Sequence, residues 1–457
     1  MPSDKRRVAA GGSPIEHGVK HAAAPRGTFD VLPSQAGRWQ ALERTVDDVC
    51  GRFGYREIRT PIFESTDVFV RTIGTGTDIV DKEMYTFTDR AGRSLTLRPE
   101  FTAPVVRAVL EHNLLAELPL KLYYRGSIFR YERPQKGRYR QSHQWGVELF
   151  GVASPEADAE VIALGMELIS AIGVSDHRLE INSMGCEWCR AEFRRALVAY
   201  LTSHASELSD TSRERLERNP LRILDSKDET DRAVLAHAPT IDSFWCESCR
   251  AHLASVRELL DAMGIASELN THIVRGFDYY TRTVFEITSQ ALGSQNAICG
   301  GGRYDNLVKD MGGPQTPGVG LAMGMERLLM LAEAAHSTRL DGAARVDVAM
   351  VALEPDDMRA LVPVMHALRR RGIGADMDYT QRKLEKQIKS AAESGASFAV
   401  IVGGDERAAG EATVQDLRTR ERVRVKLAEL GDTLAERLRA GERVRNTTDG
   451  SVADGSQ

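Results

Sequence analysis

The sequence predicts an α+β fold that carries a helical insertion and is followed by a smaller α/β unit. Three observations support this prediction. Residues 121–151 form two strand-like runs joined by a polar loop, which is typical of an antiparallel hairpin. Residues 186–265 are highly charged and show few strand signals, which favours helices inserted between strands. Beyond a polar, small-residue linker at 336–344, strand and helix patterns alternate, as they do in α/β units with parallel strands.

These changes of pattern predict the domain organisation. A first domain is expected at 25–335, with its helical insertion at about 186–265, and a second domain at 345–440. The Gly/Ala/Ser-rich start, 1–24, and the end of the chain, 441–457, are predicted to be disordered tails, because neither carries enough apolar residues to pack on a core.

Composition excludes several classes of protein. The chain has 457 residues, of which 42% are hydrophobic and 27% charged, as in ordinary globular proteins. The net charge is −5, so nucleic acid would have to be bound by local basic patches. No apolar run approaches the roughly 18 residues of a membrane span, so no membrane partner is expected. The cysteine usage of a chain this long indicates a reducing, cytoplasmic location.

The elements before the hairpin are marked by prolines. Helices are predicted at 33–50 and 103–112, and strands at 57–63 and 94–98. Pro61 interrupts the first of these strands and indicates an edge position. Glu100 follows the second strand, where it is either a ligand for a substrate amine or an exposed turn carboxylate.

The return strand of the hairpin carries the strongest signal for a ligand site. Since side chains alternate along a strand, one face carries Gln144, Gly146 and Glu148 and the other carries Trp145, Val147 and Leu149. An apolar back packs on a core, and a glycine between two polar groups leaves room for a small ligand. Cations begin at Arg130 and continue through the loop, which suits a partly anionic ligand. A surface hairpin with a solvated basic loop explains the same pattern equally well.

The elements after the hairpin complete the prediction. Helices are expected at 156–172, 355–371 and 384–394, strands at 178–181, 271–287, 346–353, 374–379 and 398–402, and a strand leading into a helix at 317–329. The glycine cluster 300–306 does not have the spacing of a dinucleotide-binding turn, so a dinucleotide fold is not expected.

Two cysteine pairs flank the predicted insertion. Cys186 and Cys189 form one C-x-x-C pair, and Cys246 and Cys249 form the other. Four thiolates in this arrangement are typical of a structural zinc site. The pairs are 246 − 189 = 57 positions apart, much farther than in a compact zinc ribbon, so four reduced thiols without metal are the alternative. Cys50 and Cys299 are predicted to be small buried apolar residues.

Several motifs together resemble a known family. Residues 129–132 (FRYE) resemble motif 2 of class II aminoacyl-tRNA synthetases, residues 318–327 (GVGLAMGMER) resemble motif 3, and Pro61 is placed like the motif 1 proline. Residues 275–280 (RGFDYY) and 301–305 (GGRYD) are similar to the signatures of the histidyl-tRNA synthetase family. The resemblance extends from about residue 25 to 439 and keeps the family's order.

This resemblance implies a fold and an activity. The expected fold is a six-stranded antiparallel catalytic sheet with a helical insertion, followed by an α/β anticodon-binding domain. The expected enzyme is a cytoplasmic homodimer, a histidine–tRNA ligase that joins L-histidine to ATP as histidyl-adenylate and transfers histidine to the 3′ end of tRNA(His). Mg²⁺ is expected to bridge the phosphate oxygens of ATP.

The resemblance also implies roles for individual residues. Arg130 and Arg275 match the arginines at the α-phosphate, Arg327 matches the arginine near the triphosphate, and Glu132 lies near the adenine. Glu100, Thr102 and Gln144 match residues around the substrate α-amino group, and Glu148, Tyr279 and Tyr280 match those lining the imidazole pocket. Arg133 and Gln135 are candidates for contact with the tRNA acceptor end.

The resemblance leaves one alternative function open, and one residue differs from the family's pattern. The alternative is a non-catalytic, histidine-sensing regulatory relative, which shares the catalytic fold. Such relatives typically lack the second domain and depart at the positions of Arg275 and Arg327, both of which this chain keeps. The departure is Phe101, which stands where the family often has glycine.

Overall fold

The structure is a computed structural model, and it describes residues 22–74, 77–135, 137–226, 228–273, 279–293, 296–341 and 346–450. For 441–450, Arg218 and Asp225 it describes the backbone alone. The predictions for most of the N-terminal tail, for Arg275 and for 451–457 concern residues outside this description. The chain divides into two compact units, the first of which ends at Asp341. The predicted domain bounds stay a proposal.

The first unit contains eleven described strands and ten described α-helices. Its strands are β1 (Arg56–Glu57), β2 (Phe63–Ser65), β3 (Tyr85–Thr88), β4 (Ser94–Leu97), β5 (Leu120–Phe129), β6 (Gln141–Phe150), β7 (Arg178–Ser183), β8 (Glu268–Leu269), β9 (Thr281–Thr288), β10 (Ala297–Arg303) and β11 (Gly318–Gly324). Its helices are α1 (Pro33–Arg52), α2 (Thr66–Ile73), α3 (Thr102–Glu111), α4 (Pro155–Ala171), α5 (Glu187–Ser203), α6 (Asp210–Arg218), α7 (Glu229–Leu235), α8 (Glu247–Ala262), α9 (Leu307–Asp310) and α10 (Met325–Ala334).

The main sheet has the order β1-β5-β6-β11-β10-β9-β7-β8. Its six central strands pair antiparallel throughout, which confirms the predicted six-stranded antiparallel sheet. The two-residue strands β1 and β8 add parallel pairs at its edges. The predicted hairpin is β5 and β6, and the predicted strand-to-helix segment is β11 followed by α10.

Side chains of β6 alternate between the two faces of the main sheet, and helices pack on both faces. Trp145, Val147 and Leu149 lie in the main apolar core, with buried residues of α1, α4, α8 and α10. This confirms the predicted apolar back of the strand. The opposite face is covered in part by α3 and α9, whose Val105 and Leu307 pack in a second core. Between these elements the same face is open, and the candidate site lies there.

The predicted strand 57–63 is wrong as a single element. Arg56–Glu57 pairs with β5 at the edge of the main sheet, whereas Phe63–Ser65 pairs with β4 in a separate three-stranded sheet of order β2-β4-β3. Pro61 lies between these strands, so the interruption was predicted but the change of sheet was not. Both strands lie at edges, where a proline nearby removes no ladder hydrogen bond.

The insertion consists of helices α5 to α8 and short 3₁₀ turns, as predicted. Its outer part has its own apolar core, which includes Phe193, Leu197 and Ile223. Its last helix packs back on the main core through Val256 and Leu260. The insertion is therefore attached to the sheet through α8 as well as through the chain ends.

The second unit is a five-stranded sheet with helices. Its strands are β12 (Val348–Ala352), β13 (Ala375–Met377), β14 (Phe398–Val402), β15 (Glu411–Asp416) and β16 (Arg422–Lys426), and its helices are α11 (Pro355–Arg370), α12 (Leu384–Glu393), α13 (Gly404–Ala409) and α14 (Leu430–Gly450). The sheet order is β13-β12-β14-β15-β16. The three predicted strands are parallel, but β15 and β16 add an antiparallel edge that was not predicted.

Two further findings concern the whole chain. The backbone of helix α14 extends to Gly450, and the disordered tail predicted over 441–457 stays a prediction. Among the described residues, no helix is both long and apolar enough to cross a bilayer.

Candidate active site

A cavity of about 600 Å³ opens on the polar face of the main sheet. Strands β6, β10 and β11 form its floor, and the glycines in these strands leave the space above them free of side chains. Gly320 lies directly opposite Glu148 in the pairing of β11 with β6. A Cβ on Gly320 would overlap the Glu148 carboxylate. Glycine is therefore needed at position 320, because the Glu148 carboxylate occupies the space that a side chain there would fill.

The cavity brings together most of the residues predicted from the sequence. Those that line it are Glu100, Thr102, Arg130, Glu132, Gln144, Glu148, Tyr279, Tyr280 and Arg327. Arg133 and Gln135 are exposed in the hairpin loop, where Gln135 forms an isolated bridge with Arg138. Arg275 lies outside the described residues.

Glu148 accepts hydrogen bonds from three hydroxyl groups around the cavity. Its side chain is 1% exposed. Its Oε1 accepts hydrogen bonds from Thr102 Oγ1 at 2.8 Å and from Tyr124 OH at 3.1 Å, and its Oε2 accepts one from Tyr304 OH. Burial raises the pKa of Glu148 to about 8, although the hydrogen bonds from Tyr304 and Thr102 act in the opposite direction. A ligand with an N–H group or a positive charge would favour the ionised form.

Glu100 has a structural contact in addition to its place in the cavity. Its carboxylate accepts the backbone N–H groups of Thr102 and Ala103 at 2.6 and 2.9 Å, and these groups begin helix α3. Burial raises the pKa of Glu100, and the two backbone donors lower it. Each carboxylate oxygen can accept more than one hydrogen bond, so this contact leaves capacity for a ligand.

Gln144 and two tyrosines complete the polar wall. The Oε1 atom of Gln144 is buried and has no hydrogen-bond partner among the described residues. A buried amide oxygen without a donor is costly, so this atom is suited to accept an N–H from a ligand. The rings of Tyr279 and Tyr280 pack with centroids 4.7 Å apart, and both line the cavity.

The other part of the cavity holds its arginines. Arg130, Arg138 and Arg327 line it, together with Glu132, Glu286 and Glu326. Arg130 donates from Nε to the carbonyl of Pro99 at 2.8 Å. Arg138 lies 3.4 Å from Glu132. The pKa of Arg327 is lowered by burial first and by the charge of Arg138 second. An anion bound near these guanidiniums would stabilise their charges, so this part of the cavity is suited to phosphate groups.

The segment predicted from motif 3 is fixed to the hairpin. Glu326, in the first turn of α10, accepts the backbone N–H of His143 at 2.9 and 3.0 Å and contacts its ring Nδ1 at 2.8 Å. Glu326 is 7% exposed. Because Arg327 is the next residue, this contact sets where its guanidinium enters the cavity.

Sequence reasoning missed several residues of the site. Tyr124 and Tyr304 bind Glu148, and Glu286 lines the cavity. Arg138 also lines it, and it belongs to the run of loop cations that the sequence indicated for an anionic ligand. The signal for Tyr304 was present, because it belongs to the 301–305 signature, but no role was assigned to it. Tyr124 is opposite Gly146 in the hairpin, a position that strand parity alone could have found.

Arg303, the arginine of the 301–305 signature, forms a buried ion pair with Asp158. Arg303 is fully buried, and its Nε lies 3.1 Å from Asp158 Oδ2. It also donates to the carbonyl of Val152 at 2.9 Å. The pair joins strand β10 to helix α4 underneath the cavity floor.

Phe101 does not need the conformational freedom of a glycine. Its φ is −106°, which any residue adopts. Its ring stacks on Tyr124 with centroids 4.4 Å apart, and the guanidinium of Arg98 lies over it at 3.9 Å. The residue therefore supports the wall of the site from the core side.

The antiparallel sheet, the glycine-lined floor and the strand-to-helix segment ending in Arg327 agree with the resemblance to class II aminoacyl-tRNA synthetases. A sequence profile described as histidyl-tRNA synthetase matches residues 27–328, and one described as an anticodon binding domain matches 347–437. The chain belongs to the histidyl-tRNA synthetase family.

Individual relatives agree over nearly their whole length. The histidine–tRNA ligase of Desulforudis audaxviator is 48% identical over 422 residues, which cover 92% of this chain and 99% of that protein. The histidine–tRNA ligase of Rhodospirillum rubrum is 50% identical over 414 residues, with 90% and 98% covered. The crystal structure of apo histidyl-tRNA synthetase from S. aureus matches with a TM-score of 0.77 at 37% identity, covering 90% of this chain and 99% of that one.

Proposed function

We propose that this protein is a histidine–tRNA ligase. It activates L-histidine with ATP to histidyl-adenylate and pyrophosphate, and then transfers histidine to the 3′ end of tRNA(His) with release of AMP. The observation that carries this proposal is the buried Glu148, which three hydroxyl donors orient in a cavity that also holds Arg130, Arg138 and Arg327.

Histidine is recognised at the part of the cavity around Glu148. The imidazole N–H donates to Glu148, and Tyr280 and Tyr279 enclose the ring. The α-amino group binds Glu100, Thr102 and Gln144. The buried Oε1 of Gln144 supports this assignment, because an ammonium group supplies the donor that it lacks. An amino acid without a ring N–H would not supply the additional donor that this buried carboxylate can accept, which is a basis for discrimination.

ATP is bound at the part of the cavity that holds the arginines. Arg130 contacts the α-phosphate and the histidine carboxylate, and a planar guanidinium fits both of these groups. Arg327 lies near the triphosphate, and Glu132 lies near the adenine. Arg275 is the second arginine expected at the α-phosphate. Bound Mg²⁺ would supply further positive charge to the phosphate groups and would need few ligands from the protein.

The activation step needs positioning rather than covalent catalysis. A histidine carboxylate oxygen attacks the α-phosphorus, a new O–P bond forms, and the bond to pyrophosphate breaks. Negative charge builds up on the phosphate oxygens in the transition state, so the nearby guanidiniums lower the barrier. In the second step a ribose hydroxyl of the tRNA end attacks the histidyl carbonyl carbon, and AMP leaves.

The tRNA contacts are assigned from position and charge. Arg133 and Gln135 are exposed on the hairpin loop and are assigned to the acceptor end. The second unit is assigned to the anticodon, because its profile match is to an anticodon binding domain. We also propose, from the family resemblance, that the enzyme is a cytoplasmic homodimer.

Pyrophosphate exchange with each of the twenty amino acids in turn tests this proposal. Histidine alone should support exchange of labelled pyrophosphate into ATP. Exchange with a different amino acid would refute the assignment of the pocket around Glu148. No exchange with any amino acid, together with histidine binding, would instead favour the non-catalytic regulatory relative. The purified enzyme should then charge tRNA(His) with labelled histidine.

A further inference from the structure

The four paired cysteines meet at one point of the structure. The Sγ atoms of Cys186, Cys189, Cys246 and Cys249 all lie within 4.8 Å of one another. The Sγ atoms of Cys186 and Cys189 are 3.5 Å apart, and those of Cys189 and Cys249 are 3.9 Å apart. The sequence separation between the pairs left this convergence open, and the fold provides it.

These distances fit a metal better than disulfides. Sulfur atoms bound tetrahedrally at 2.3 Å from zinc are about 3.8 Å apart. Disulfide sulfurs are about 2.05 Å apart, and all four cysteines are free thiols in this structure. A tetrahedral set of four sulfur ligands is typical of zinc or of an iron–sulfur centre.

The backbone around the cluster favours thiolates. Cys186 precedes the first residue of α5, and Cys246 precedes the first residue of α8. Both helices therefore direct their N-terminal dipoles at the sulfur atoms, which stabilises negative charge. The backbone N–H of Cys246 also donates to Cys189 Sγ at 3.2 Å. Bonds of this kind orient and stabilise metal-bound thiolates.

The turn before the first pair is built closely around it. Gly185 has a φ of +67°, and a Cβ on it would lie 2.5 Å from the Cβ of Cys189. Only glycine fits this position. Its carbonyl accepts the backbone N–H of Arg282, at the start of β9, at 2.9 Å. The cluster is thus attached directly to the main sheet.

The cluster also adjoins the histidine pocket. Arg190, one residue after Cys189, donates to the carbonyl of Tyr280 at 3.0 Å. Trp245, one residue before Cys246, donates to the carbonyl of Ser183 at 2.9 Å. Fixing the start of α5 therefore also fixes the backbone of a tyrosine that lines the cavity.

We propose that Cys186, Cys189, Cys246 and Cys249 bind one zinc ion that joins the first and last helices of the helical insertion, α5 and α8. The zinc is structural, because four protein ligands leave no open position for a substrate or water. It holds the N-termini of α5 and α8 together and attaches both to β7 and β9. The insertion is then fixed at its base while its outer helices keep their own core.

Metal analysis of the full-length protein tests this proposal. Protein purified under reducing conditions and dialysed against a chelator should keep close to one zinc per chain, and Cys246→Ser should lose it under the same treatment. Cys246 is only partly buried, so this variant should fold. The matched control is Cys50→Ala, which alters a cysteine in α1 and should keep its zinc. Folded protein without zinc, protein with stoichiometric iron, or loss of zinc in the control would overturn the proposal.

Two further measurements keep the test independent of activity and of variant folding. Cobalt exchanged into the wild-type protein should give the intense visible bands and the sulfur-to-cobalt charge-transfer bands of a tetrahedral thiolate site. A weak octahedral spectrum would contradict the assignment. Titration of the denatured, chelated protein should find all six cysteines as free thiols, whereas a deficit of two or four would indicate disulfides. Neither measurement depends on histidine activation, so the two proposals fail separately.

Discussion

Replacing Glu148 with glutamine tests the proposed recognition of the imidazole. Glutamine has nearly the same shape, but one of its two terminal atoms is a donor and it cannot ionise. Glu148 accepts from Thr102 and Tyr124 on one oxygen and from Tyr304 on the other. An amide can satisfy only part of this set, and it offers the imidazole N–H no negative charge.

The size of the effect follows from the hydrogen bond that is lost. A hydrogen bond to a charged group contributes about 1.5–3 kcal/mol, and about 1.4 kcal/mol corresponds to a factor of ten. Glu148→Gln should therefore lower kcat/KM for histidine by roughly 10- to 150-fold in pyrophosphate exchange. The KM for ATP should change little, because the part of the cavity that holds the arginines is unaltered.

A surface carboxylate provides the control for this substitution. The side chain of Glu167 is 41% exposed on α4, where it pairs with Arg52. Glu167→Gln removes the same charge away from the cavity and should leave exchange within about twofold of wild type. Wild-type exchange by folded Glu148→Gln would refute the role assigned to this carboxylate.

Four further outcomes are expected. Because the native state holds a proton on Glu148 up to a pKa of about 8, whereas the ordinary value is 4.5, this residue makes the free energy of unfolding fall as pH rises between these values. In urea titrations across that pH range, Glu148→Gln should remove this pH-dependent part of the free energy of unfolding, which is about a few kcal/mol. Equal slopes of the free energy of unfolding against pH in wild type and variant would contradict this. Gly320→Ala should raise the KM for histidine, because its Cβ overlaps the Glu148 carboxylate; an unchanged KM would show that the floor can adjust. Arg327→Lys should lower kcat/KM for ATP by about tenfold or more, because the planar fork is lost, and calorimetry should find histidine binding unchanged. Arg303→Met should lower the free energy of unfolding by roughly 3–5 kcal/mol, since the buried Asp158 loses its guanidinium partner and keeps the His252 ring at 3.4 Å. A loss below about 1 kcal/mol in denaturant titration would contradict this.

Alternation explains why the hairpin could be predicted in detail. The side-chain period of a strand is two residues, so the chain itself places Gln144 and Glu148 on the same face. The structure confirms that both line one cavity and that Trp145 lies in the core behind them. The contacts from Thr102 and Tyr304 to Glu148 join positions far apart in the chain, and no local pattern could reveal them.

The second unit shows where the sequence pattern failed. Strand β16 alternates between exposed and half-buried side chains and carries several charges, so its apolar face is narrow. A charged edge strand resists pairing with other chains, and it also resembles a polar loop in the sequence. Its partner β15 lies inside the sheet and is more buried, but Val414 is its single large apolar residue and it was missed as well. The apolar β14 was predicted at 398–402, its observed bounds.

The cysteine pairs show a different limit. Their spacing within each pair indicated ligands, but the separation between pairs could not show whether they meet. Two helix N-termini, those of α5 and α8, bring them together. The sequence also could not show whether Phe101 fits a position where the family often has glycine. The stacking of its ring on Tyr124 shows that it does.

A crystal structure with histidine and a non-hydrolysable ATP analogue tests the central claim most directly. The imidazole should lie within hydrogen-bond distance of Glu148, the α-amino group should contact Glu100 or Gln144, and the phosphates should lie against Arg130 and Arg327. Histidine bound elsewhere, or phosphates that touch neither arginine, would contradict the proposed active site.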